Sequence, residues 1–181
     1  LQGQNLTAED FGGEHLNGCN EILALSCPAA VERLHSDYLA AGCDVIETNT
    51  FGSSPIVLAE YGIADRALEI SRANALIARR IANDFSTPGR PRFVAGSMGP
   101  TTKLPSLGHL RFAEMAEAYG VQAEGLLEGG VDLLCIETSQ DLLQVKAALA
   151  GVFARMAQMR RRVPVIVSVT IETPGPMLLG T

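Results

Sequence analysis

Gly129-Gly130-Val131-Asp132-Leu133-Leu134-Cys135-Ile136-Glu137-Thr138 reads as a helix stop, a short turn, an apolar strand and an abruptly polar strand end. An earlier stretch repeats the grammar: Ala41-Gly42-Cys43-Asp44-Val45-Ile46 runs into Glu47-Thr48-Asn49-Thr50-Phe51. Between them, Phe93-Val94-Ala95 runs into Gly96-Ser97-Met98-Gly99-Pro100. Continuous apolar runs of this length suit strands buried on both faces of a parallel sheet, and a glycine before each turn suits a helix C-terminus. The carboxyl ends of such strands are where α/β proteins place their chemistry.

Outward from these strands the pattern alternates. Strands are expected over 44–50, 93–97, 131–137 and 164–170. Helices are expected from Pro28 to Gly42, over 63–84, 111–128 and 141–157. Their inner stripes read Val31, Leu34, Tyr38 and Leu39; then Ala64, Ala67, Leu68, Ser71, Ala75, Ala78, Ile81 and Ala82; then Phe112, Met115, Ala116, Tyr119, Ala123 and Leu126; then Leu142, Val145, Leu149, Val152, Phe153 and Met156. Residues 1–27 show no period and read as irregular. No GxGxxG follows a strand, and the repeated helix-to-strand joints favour an eight-stranded (β/α)8 TIM barrel over a doubly wound sheet. Four parallel strands do not close a barrel, so residues 1–181 are expected to be a partial barrel domain holding strands 2 to 5, without the first strand and roughly the last three.

With 181 residues, 47% of them hydrophobic, the chain can bury a full core. A formal net charge of −6 disfavours nucleic acid or an anionic membrane as partner. The basic run Arg160-Arg161-Arg162 falls at a helix end and reads as a solvated terminus. No apolar stretch is long enough to span a membrane and no basic-then-apolar leader opens the sequence. Cys19, Cys27, Cys43 and Cys135 form neither CxxC nor CxxH pairs, so they read as free thiols in a reducing, cytoplasmic setting.

Four strings then occur in order at these positions: Gly18-Cys19-Asn20-Glu21-Ile22-Leu23, Glu47-Thr48-Asn49-Thr50-Phe51-Gly52, Gly96-Ser97-Met98-Gly99-Pro100 continued to His109, and Ile136-Glu137-Thr138. Together they resemble the homocysteine-binding module of cobalamin-dependent methionine synthases, across almost the whole chain. The resemblance implies a methyltransferase of methionine biosynthesis whose barrel mouth holds homocysteine and a zinc ion that keeps the substrate sulfur as thiolate. It implies three cysteine ligands for that zinc, all downstream of Thr181, so neither metal ligands nor catalytic residues are expected within the chain. It also implies cobalamin-binding and folate-binding modules elsewhere in the same protein, which supply methylcobalamin and recharge it from methyltetrahydrofolate. Rival readings are a cobalamin-independent homocysteine S-methyltransferase using S-methylmethionine or betaine, and a non-catalytic half-barrel interaction module.

Glu137 leads the candidate substrate residues. A carboxylate ending an apolar strand is costly to bury unless a cation meets it, and the resemblance assigns that cation as the substrate ammonium; the competing reading is a rim salt bridge. Thr48, Asn49 and Phe51 match positions near the same substrate, against a reading as strand caps. Gly96 and Ser97 open a stretch whose backbone can approach a ligand, against a plain turn. Strand alternation puts Cys135 on the face of Leu133 and Glu137 as a packing residue beneath the site. Glu47 faces away from Thr48, so either it meets the helix layer or its strand ends early. Lys103 and His109 read as solvated loop residues in preference to cobalamin or module contacts, and His35 as a packed, hydrogen-bonded core histidine.

Overall fold

A computed structural model describes residues 1–172, 175 and 177. Four strands, β1 (Val45–Glu47), β2 (Phe93–Met98), β3 (Leu133–Ser139) and β4 (Val165–Val169), pair in parallel in the order β1-β2-β3-β4. The long helices α1 (Pro28–Ala41), α2 (Ala67–Phe85), α3 (Phe112–Glu128) and α4 (Leu142–Met159) connect and cover them. Strand order and alternation are as the sequence patterns require. The expected loop at 172–181 lies largely outside the described residues.

The core sits between sheet and helices. Ile46, Val94, Met98, Leu134 and Ile136 point from the strands into Ala75, Ala78, Met115, Tyr119, Leu126 and Val152 of the helices. Their alternate neighbours, Glu47, Ala95, Ser97, Cys135 and Glu137 among them, occupy the opposite, open face, where Val45 and Phe93 are 45% and 42% exposed. Gly42 and Gly130 stop α1 and α3 in the left-handed region, at φ 110° and 91°. The aspartates that follow anchor the strand starts: Asp44 meets Arg90 and Arg92, and Asp132 meets Arg79 while accepting the Val94 N–H.

Four expectations are corrected. Residues 1–27 form five short helical turns, whose Phe11, Leu16, Cys19, Ile22 and Leu23 build a second small core with Val31, Leu58, Ala67 and Ile70. Phe112, Leu142 and Phe153 are exposed, not core: α3 and α4 approach through small residues such as Ala147, Ala148 and Gly151, which leaves the large side chains at the margins of the contact. Arg161 is not solvated but donates to the carbonyls of Leu127 and Val131, capping the end of α3. His35 is packed at 3% exposure, yet its Nε2 has no hydrogen-bond partner among the described residues. It lines a cleft of about 450 Å³ along the free edge of β1.

Candidate functional site

The polar strand ends gather on the open face at the carboxyl edge of the sheet. β1 stops at Glu47, and this early stop decides the orientation that the sequence left open. Glu47 lies on the open face, while Thr48 turns inward. Thr48 is 4% exposed; its hydroxyl is 2.6 Å from that of Thr50 and accepts the Ser97 N–H. Thr50 in turn donates to the Ser97 carbonyl at 2.7 Å. The Thr48–Thr50 pair therefore splices the end of β1 to β2, and its side chains do not reach the open face.

The other candidates divide likewise. Asn49 donates to the Asn20 carbonyl at 2.7 Å, which fastens the amino-terminal turns to the end of β1. Glu21 assists by accepting the Gly52 N–H at 2.8 Å. Phe51 stands 45% exposed, its ring seated where a Cβ on Gly99 would be 2.7 Å away. The missing Cβ of Gly96 would lie 2.9 Å from Leu134 Cδ2 and 3.1 Å from Leu126 Cδ1, so on the core side its lack of a side chain makes room for these leucines. Ser97 reaches the open face, where its hydroxyl donates to Glu137 Oε1 at 2.6 Å.

Glu137 is half-buried on the open face, and no lysine or arginine pairs with it among the described residues. The rim salt bridge therefore has no partner among the described residues. Past Glu137 the strand twists sharply: Thr138 has φ +56°, an uncommon value for a β-branched residue, and the β3–β4 register shifts between Ile136 and Ser139. Strain of this kind persists only where surrounding structure imposes it, and here Ser168 Oγ accepts the Thr138 N–H at 3.1 Å.

Glu47, Cys135 and Glu137 converge, with a carboxylate oxygen from each acid and the Cys135 sulfur all within 4.8 Å of one another. Burial, and next the Glu137 charge, raises the Glu47 carboxyl above its usual range. Burial with the two nearby carboxylates pushes the Cys135 thiol up to about 11, which keeps it protonated at neutral pH. This set does not fit the thiolate zinc site implied by the resemblance, because it offers one thiol where three are needed. The other cysteines do not complete it: Cys19 is buried in the amino-terminal core, and Cys27 and Cys43 lie on other elements.

A belt of buried polar side chains holds the mouth from below. Gln122 donates to the carbonyl of Thr50 at 2.7 Å; Tyr119 donates to the carbonyl of Gly99 at 2.9 Å; Gln144 donates to Tyr119 and Thr101. Asp141 caps α4 through the N–H groups of Leu143 and Gln144 and also accepts from the N–H and hydroxyl of Ser106. The sequence reading passed over this belt. Its signal was glutamine and tyrosine on otherwise apolar helical faces, where a buried polar group must find partners. In the same loop His109 Nδ1 accepts the Leu104 N–H, and Lys103 is exposed.

The model of the homocysteine S-methyltransferase family matches residues 1–181. The chain belongs to that family. Methionine synthases of Mycobacterium tuberculosis and Mycobacterium leprae are each 49% identical over all 181 residues, and the chain spans 15% of the length of each. Among solved structures, the homocysteine methyltransferase MmuM of Escherichia coli superposes in its oxidized form with TM-score 0.72, at 21% identity, over 99% of this chain and 62% of that one. Its metallated form gives TM-score 0.69, also at 21% identity, over 94% and 59%. At that identity the likeness carries the fold and not the chemistry. Among the described residues no helix is long and apolar enough to cross a membrane.

Proposed function

We propose that residues 1–181 form part of the homocysteine-binding (β/α)8 barrel of a cobalamin-dependent methionine synthase, contributing strands 2 to 5. On this reading the full protein transfers a methyl group from methylcobalamin to the sulfur of homocysteine, with folate-binding and cobalamin-binding modules outside this chain. The zinc ligands of this reading lie downstream of Thr181. The share of these residues is to hold the amino-acid end of the substrate, with Phe51 standing beside its aliphatic part.

The observation that carries the proposal is Glu137. It is a half-buried carboxylate on the open face, at the carboxyl end of a parallel strand, oriented by Ser97 and without a cationic side chain to neutralise it among the described residues. A substrate ammonium meets that need. The 49% identity to methionine synthases favours this branch over one using S-methylmethionine or betaine, and the fit of family and site disfavours a non-catalytic module.

The test is Glu137→Gln in the full-length protein. A charge-assisted hydrogen bond contributes about 1.5–3 kcal/mol, so homocysteine affinity should fall roughly tenfold to a hundredfold by calorimetry. Zinc content should stay as in the wild type. Unchanged affinity would remove Glu137 from the substrate site, and lost zinc would make its role structural.

A further inference from the structure

Glu47 and Glu137 stand on β1 and β3, either side of β2, and a carboxylate oxygen of each comes within 4.8 Å of the other across it. Among the described residues, Ser97 bonds one oxygen of Glu137 and the other is left without a hydrogen bond. The Cys135 sulfur lies within 4.8 Å of a carboxylate oxygen from each acid; the residue is 9% exposed, and burial and the two charges act on its thiol. Burial, and next the Glu137 charge, opposes ionisation of Glu47, and a cation between the two carboxylates would reverse that opposition.

We infer that Glu47 is a second arm of the ammonium subsite, so that the α-amino group of homocysteine is held between Glu47 and Glu137 above Cys135. The inference rests on the proposed function and adds a specificity residue to it. An ammonium carries three donors in a tetrahedral fan, which suits two carboxylate oxygens and a soft sulfur acceptor. A divalent metal would find one thiol and two carboxylates, short of the three thiolates of the implied zinc site. The arrangement selects thiols that carry a protonated amine and is indifferent to desamino thiols of the same length.

The experiment titrates the full-length wild type, Glu47→Gln and Glu137→Gln by calorimetry with homocysteine and with 4-mercaptobutanoate, which lacks only the amino group. Glu47→Gln is expected to weaken homocysteine about tenfold and to leave 4-mercaptobutanoate unchanged, with bound metal equal to wild type. If Glu47→Gln binds homocysteine normally while Glu137→Gln does not, the inference fails and the proposed function stands. If both variants bind it normally, the proposed site fails and takes the inference with it. Equal weakening of both ligands by Glu47→Gln, or loss of a metal equivalent, also overturns the inference, since the residue would then shape the fold or hold an ion.

Discussion

Two glycines face each other where α3 packs on α4, and substituting each with alanine should move stability in opposite directions. A Cβ on Gly151 would lie 1.9 Å from the carbonyl oxygen of Ala116 and 3.1 Å from the backbone nitrogen of Gly120. That is about 1.5 Å short of ordinary contact, and the obstacle is backbone that no rotamer change can clear. The helices must move apart, at an overpacking cost of about 1–3 kcal/mol or more. Alanine returns up to about 1 kcal/mol of helix propensity, which leaves a net loss near 2 kcal/mol. A Cβ on Gly120 meets nothing closer than 3.5 Å, so Gly120→Ala keeps the propensity gain of about 0.5–1 kcal/mol. The assay is native-state hydrogen exchange, by mass spectrometry, of α3 and α4 peptides in the full-length protein. A loss of about 2 kcal/mol corresponds to roughly thirtyfold faster exchange in Gly151→Ala, against slower exchange in Gly120→Ala. Equal protection in Gly151→Ala and wild type, or equal loss in both variants, would refute the close-approach argument.

Burial pushes His35 down to about 4 from 6.5, so the folded protein keeps it neutral while the unfolded chain protonates below about 6.5. Its contribution is intact above pH 6.5 and is lost as pH falls towards 4, by about 3 kcal/mol in all; His35→Leu should lose less stability than wild type between pH 7 and pH 5, read from the urea midpoint. Equal losses would mean that His35 is not the titrating group. Asp141 is raised by burial, but the hydrogen bonds from Ser106, Leu143 and Gln144 outweigh this and hold it below its usual range. Asp141→Ala should cost the α4 cap about 1–2 kcal/mol and release the loop around Ser106, seen as faster limited proteolysis within 102–109. An unchanged cleavage rate would show that the loop is held by other contacts.

Much of the site was legible before folding was considered. Period-two alternation put Cys135 and Glu137 on one face of β3, and helical periodicity located all four long helices to within a few residues, because these patterns are set by neighbours in sequence. The polar end of each strand was equally local, since a carboxylate or hydroxyl after an apolar run marks where the core stops. The four strings that carried the family resemblance are local too, and the family match over the whole chain accords with them.

What the tertiary structure decided are choices made by partners distant in sequence. Thr48 turns inward because the Ser97 N–H, 49 residues away, is there to bond it, and that turn leaves Glu47 on the open face beside Glu137. Whether Gly96 serves a ligand or the core depends on where Leu126 and Leu134 come to rest. The amino-terminal turns had no period to read, because each is three or four residues long and buries a side chain or two against Leu58 and Ile70. Arg161 finds its carbonyl partners only once α3 has ended beside it. Periodicity is written by local geometry, whereas the partner of a polar group is fixed by which segments pack together, and a linear pattern does not contain that information.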